Sequence, residues 1–174
     1  MSRAFWNDVS LCLRVFEPLV KVLRMVDGDV KPSMAFLYGE IRKAKKEIME
    51  AMNNIENNYN PIIDIIDKKM KDRLDSPLHL TAYFLNPYYS YCDGSIFLDD
   101  VIMDGVFTCV ETFYHDDDDK QSQLLNVELV IFKDQEGHFG KVAAKAGCRD
   151  FEFNPGLIIT SQCKYMHDCK FVRY

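Results

Sequence analysis

The chain has 174 residues and a mass of 20.3 kDa, enough to bury a core without disulfides or a structural metal. With 48% hydrophobic, 13% aromatic and 28% charged residues it lies outside the collagen-like, fibrous and disordered classes. A net charge of −6 and a pI near 5.2 set aside the basic footprint of an autonomous DNA binder, and the excess is local: residues 1–87 carry 13 basic and 12 acidic side chains, residues 88–147 carry 4 and 12.

In chain order, Phe5 to Phe16 has helical periodicity, Pro18 interrupts and restarts it, and Leu19 to Val26 continues to an Asp27-Gly28-Asp29 turn. Pro32 opens a long helix, since a first-turn proline costs no internal hydrogen bond; Met34, Leu37, Ile41, Ala44, Ile48, Met52 and Ile55 form its apolar stripe. Asn60-Pro61 reads as cap and first-turn proline of a second helix with Ile62, Ile63, Ile66, Met70 and Leu74 on one side. Ser76-Pro77 starts a short apolar helix, Leu78 to Leu85, closed by Asn86-Pro87. Leu98, Ile102, Gly105, Cys109 and Phe113 make a further stripe. Gln123 to Phe132 is apolar on nearly every side, which predicts a helix buried at the centre of a bundle, with a short strand as the alternative. Gln135-Glu136-Gly137 ends it, and a last short helix fits His138 to Ala146 with Gly147 as its stop. The pattern thus predicts an all-α helical bundle over residues 1–147 and a poorly ordered tail over 148–174.

No apolar run approaches the roughly 20 residues that span a bilayer, so no membrane partner is expected. The opening residues have no apolar h-region, which points to a reducing, intracellular compartment, and the six scattered cysteines contain no C-x-x-C pair, which argues against a disulfide framework or zinc ribbon. Cys163, His167 and Cys169 match no common zinc module. Asp116 to Asp119 radiate in different directions and read as a solvated loop favouring the next helix N-terminus rather than a cation site. Asp100, Asp104 and Glu111 share a helix face, but Asp100 and Glu111 lie roughly 16 Å apart along it, too far to hold one ion. His79, His115, His138 and His167 stand in no hydrolase, deaminase or metalloprotease spacing, and His79 reads as a packed, hydrogen-bonded histidine. Phosphate-binding and nucleophile-elbow glycine motifs are absent, so no catalytic residue, metal or cofactor is expected. The remaining candidate is the basic group Arg42, Lys43, Lys45 and Lys46, facing away from Ile41 and Ile48 and able to touch a phosphate backbone. Glu47 and Glu50 sit one turn after Lys43 and Lys46 and blunt it.

Several motifs recur in a telling order: Phe5-Trp6, the run from Pro18 to Asp29, Lys31-Pro32 with Phe36-Leu37-Tyr38, Ile65-Ile66-Asp67, Ser76-Pro77-Leu78-His79, and Ala82 to Pro87. Over roughly residues 5–145 this series resembles plant hAT-superfamily transposases and their domesticated relatives, in the stretch between the central transposase region and the C-terminal dimerisation region. The resemblance implies part of the helical insertion of a DNA cut-and-paste enzyme. It places the zinc finger and both catalytic Asp residues before Met1, and the catalytic Glu beyond the point where the chain departs from the family, after Phe153-Asn154-Pro155. It therefore implies a catalytically inactive fragment, nuclear in location, with at most a protein-interaction or structural role. Its expected partners are a second copy or another transposase-like protein, held through exposed apolar surface. A residual nucleic-acid-binding module using the basic helix face is the alternative.

Overall fold

Ser2 starts the first helix, accepting the Phe5 N–H on its Oγ at 3.3 Å, and α1 then runs over Arg3–Val26. A computed structural model describes residues 2–27, 34–142 and 145, and these divide into two compact units, one within residues 1–79 and one from residue 80 onward. Pro18 does not interrupt α1 as its sequence suggests. A proline deletes one donor of the ladder, and a long helix packed along a neighbour tolerates that loss; Pro18 itself is buried.

In the first unit α1 lies along α2 (Met34–Ala51), which is followed by α3 (Glu56–Met70). The core joins Val22 of α1, Leu37, Ile41 and Ala44 of α2, and Met70 of α3, with Leu19, Tyr38, Ile66 and Leu74 packed against it. The stripe expected on α2 is largely the buried one, including Ile48 and Met52, but Ile55 does not belong to it. Asn53 and Asn54 take left-handed backbone conformations, with φ of 58° and 55°, which asparagine tolerates better than most residues and which stop the helix. Ile55 is thereby the exposed N-cap residue of α3. That helix starts earlier than Asn60-Pro61 implies, placing Pro61 sixth in it. The Ile55 carbonyl accepts from the Asn58 and Tyr59 amides, so backbone groups start the helix where no side chain caps it. The proposed start at Pro32 lies outside the described residues.

Ser76-Pro77 does open a helix, α4 (Pro77–Phe84), and the boundary between the two units falls within it. In the second unit Asn86 closes α4 and caps the short α5 (Pro87–Ser90), its Oδ1 accepting from the Tyr88 N–H at 3.1 Å. A 3-10 turn at Gly94–Leu98 leads to α6 (Asp100–Phe113), capped by Asp99. Then α7 (Asp118–Gln123), a π-helical turn (Leu124–Glu128) and α8 (Leu129–Lys133) follow one another without a break. The core here contains Leu80, Tyr83, Phe84, Ile96, Ile102, Val106, Cys109, Val110 and Phe132. Phe132 is its aromatic hub, with ring centroids 5.1 Å from Tyr91, 5.3 Å from Phe139, 6.0 Å from Phe84 and 6.3 Å from Phe97. At Gly105, Leu80 sits where a side chain would be, and Thr81 Oγ1 donates to the Gly105 carbonyl at 3.3 Å.

The protein is all-α, with no strand among the described residues. Gln123–Phe132 is helical, which settles the strand alternative, but it is not buried at a centre: Val127 and Val130 are about half exposed and Phe132 is the buried member. The stripe on α6 is buried at Ile102, Gly105 and Cys109 but exposed at its ends, Leu98 and Phe113. Residues 137–140 form turns where a helix from His138 was expected. Farther along that segment residues 142 and 145 are helical, the Lys145 N–H donating to the Lys141 carbonyl at 3.1 Å, so the helix starts later than His138; the expected tail, 148–174, lies outside the described residues.

Candidate functional site

The four basic residues of α2 do not form one patch. Arg42 and Lys46, one turn apart, are exposed with Lys43 beside them, whereas Lys45 is half-buried and forms an ion pair with Asp67 of α3. Lys43 reaches Glu40 at 3.8 Å, and Glu47 meets Lys21 of α1 at 3.9 Å, so the acidic groups blunt this face by a different pairing from the i to i+4 one expected. Surface pairs of this kind contribute at most about 1 kcal/mol each. Their main effect is to intersperse negative charge along a face that would otherwise track phosphates.

The acidic run is a helix start. Asp117 Oδ1 accepts the Lys120 N–H at 3.0 Å, and the Lys120 ammonium lies 3.1 Å from Oδ2. Those hydrogen bonds, the backbone one foremost, hold the Asp117 carboxyl below the usual carboxylate range. His115 pairs with Asp116 at 2.6 Å, both exposed. Asp100, Asp104 and Glu111 are all exposed on α6, and no group of three or more His, Cys, Asp or Glu side chains gathers among the described residues.

His79 is half-buried, its Nδ1 2.8 Å from Ser76 Oγ, and its backbone N–H donates to the Ser76 carbonyl. Burial pushes the imidazole pKa down while the Asp75 carboxylate pulls it up, the first effect prevailing. The arrangement ties the His79 ring to the residue that precedes α4. His115 and His138 are exposed, and Cys163, His167 and Cys169 lie outside the described residues. Cys109 is buried, which raises its thiol pKa against the opposing effect of a hydrogen bond with the Thr81 side chain.

The feature that sequence reasoning missed is on α1. Trp6, Val9, Leu13, Phe16, Val20 and Leu23 follow one another at intervals of three, four, three, four and three. That repeat lines one face of a helix with a continuous apolar seam. It is not the face that meets α2: Pro18 and Val22, on the opposite side, are buried, whereas Trp6, Leu13, Phe16 and Leu23 are 57%, 62%, 60% and 58% exposed. The signal was present as spacing, but Leu11, Val15, Leu19 and Val22 make the other side apolar too, and the two stripes blur into one hydrophobic helix.

The chain matches no family model, no curated protein and no solved structure.

Proposed function

We propose that this chain is a catalytically inactive helical fragment, similar to part of a hAT transposase, whose role is protein contact. The observation that carries the contact role is the exposed seam of α1: a regular apolar face on a 24-residue helix, left open to solvent, is the mark of an interaction surface. The inactive reading is supported by the motif order, which puts the acidic residues of the cutting site outside this stretch, and by the need of two-metal phosphoryl transfer for several convergent carboxylates. No described helix is long and apolar enough to cross a membrane.

Light scattering over a concentration series tests the contact role. The expected result is a mass that rises above 20.3 kDa with concentration; a sharp monomer throughout overturns it. Magnesium-dependent nicking of DNA that disappears on mutating one of the chain's own carboxylates overturns the inactive reading. A nucleic-acid-binding role is the second reading, favoured by the exposure of Arg42, Lys43 and Lys46 along one side of α2. It requires an affinity that falls steeply with salt.

A further inference from the structure

We infer that the partner of the α1 seam is the α1 of a second copy of this chain, lying antiparallel to it. The inference rests on the contact role proposed above and adds occupant, direction and register. The area fits: from their exposures, Phe5 and the seam side chains offer about 700 Å² per copy, or about 1,400 Å² for a pair, within the range of specific interfaces.

Direction follows from side-chain volume. Run antiparallel about a point between Arg14 and Val15, the helices stack Trp6 on the partner's Leu23, Val9 on the partner's Val20, and Leu13 on the partner's Phe16. Each bulky side chain meets a smaller one. Run parallel, Trp6 meets the partner's Trp6 and Phe16 the partner's Phe16, an overpacking that the mixed layers of the antiparallel pair avoid; the valine layers are valine against valine in either direction.

The flanks point the same way. One side of the seam carries the exposed Phe5, Cys12 and Val26, with Leu19 on the same side packed into the core of its own unit, and the other carries Arg3, Ser10, Glu17 and Arg24. An antiparallel pair sets like flank against like, so the apolar side chains cover one another, and Glu17 comes beside the partner's Ser10. A parallel pair sets each apolar flank against a charged one, which strands Glu17 and Arg24 beside hydrocarbon. The cost of the antiparallel choice is Arg3 near the partner's Arg24, at the exposed ends where salt screens it.

Valine-to-cysteine exchange keeps the seam nearly isosteric and reads the register. Full-length chain with Cys12, Cys92, Cys148, Cys163 and Cys169 replaced by serine would carry either Val9→Cys or Val20→Cys. The two variants would be oxidised separately and after mixing under conditions that exchange subunits. In the antiparallel pair the two copies of residue 9 lie roughly 16 Å apart along the axis, beyond the reach of a disulfide, while residue 9 faces the partner's residue 20. The expected result is a disulfide dimer from the mixture and little from either variant separately. Dimers of Val9→Cys with itself establish a parallel pair and overturn the inference. So does an absence of dimers in all three samples. Light scattering on the serine background separates the failures: associated chain without the cross-link removes the antiparallel pair and leaves the contact role, whereas a monomer, including one whose own terminal segment covers α1, removes both. In the native-cysteine chain, Leu13→Glu is expected to abolish association with helical circular dichroism unchanged; association that persists in this variant overturns the inference as well.

Discussion

Replacing Gly105 by alanine sets two effects of known size against each other. In a helix interior alanine is favoured over glycine by about 0.8–1 kcal/mol, and propensity by itself forecasts a more stable protein. The new Cβ, however, would stand 2.7 Å from Leu80 Cδ1 and 2.8 Å from Leu80 Cβ. The Cδ1 contact can be relieved by rotating the leucine, but Leu80 Cβ is fixed to the α4 backbone, so α4 and α6 must move apart. Overpacking of this kind costs typically 1–3 kcal/mol, and the movement also stretches the Thr81 bond to the Gly105 carbonyl, a contribution of about 0.5–1.5 kcal/mol. The net expectation is a destabilisation of about 1–2 kcal/mol. Urea unfolding followed by far-ultraviolet circular dichroism measures it: with a slope of about 2 kcal/mol per molar, in the middle of the usual range, the midpoint of the transition reporting the second unit falls by about 0.5–1 M. Gly94→Ala is the control, since nothing lies within 4 Å of a Cβ there, and its midpoint should hold or rise slightly. A Gly105→Ala midpoint equal to or above the native one, at unchanged slope, would refute the contact with Leu80 as a constraint on α6.

Phe132→Ala removes the ring that Phe84, Tyr91, Phe97 and Phe139 surround, and is expected to cost about 3–5 kcal/mol in the same unfolding assay; a loss below about 1 kcal/mol would mean that the cluster collapses around the gap or is not formed. His79 has a folded pKa below its ordinary 6.5, so the unfolded chain binds its proton more readily. The stability this contributes is complete above pH 6.5 and is lost as the pH falls through the folded value. His79→Gln should flatten that part of a pH–stability curve, and an equally steep descent in the variant would remove His79 as its cause. Binding to duplex DNA is expected to be weak at physiological salt and unchanged by reversing Lys43 and Lys46 to glutamate. A strong salt slope that this reversal diminishes would promote the nucleic-acid reading over the contact role.

The all-α class was legible in the 3.6-residue stripes, and the α4 start in the Ser76-Pro77 pair, where a proline fits the first turn. Boundaries failed where one rule outweighed a competitor. Pro18 and Pro61 are both inside helices, because each removes a single donor while the packed or polar neighbours on either side continue the ladder. Asn53-Asn54 ended α2 through backbone conformation, a cue weaker in the sequence than the stripe that runs on to Ile55. Burial of Gln123–Phe132 was overestimated since apolar composition does not reveal whether a neighbouring layer exists to cover it. For the basic group, helix position was legible, but the Lys45–Asp67 and Lys21–Glu47 pairs depend on tertiary neighbours that spacing within α2 does not encode. The seam of α1 was visible as spacing and invisible as surface: only the packing of α2 on the opposite side shows which of two apolar stripes is left uncovered.

The π-helical turn at Leu124–Glu128 gives this protein one place where chain length is negotiable. The Leu129 amide reaches back to the Leu124 carbonyl, so this turn accommodates one residue more than a regular α-helical turn, and Asn126 and Val127 are exposed. Excising one of them would tighten the coil to ordinary pitch and still deliver Phe132 to the same neighbours. Between Leu80 and Gly105 there is no comparable slack. A lineage of such chains would therefore drift in length at the first point and keep its smallest residue at the second.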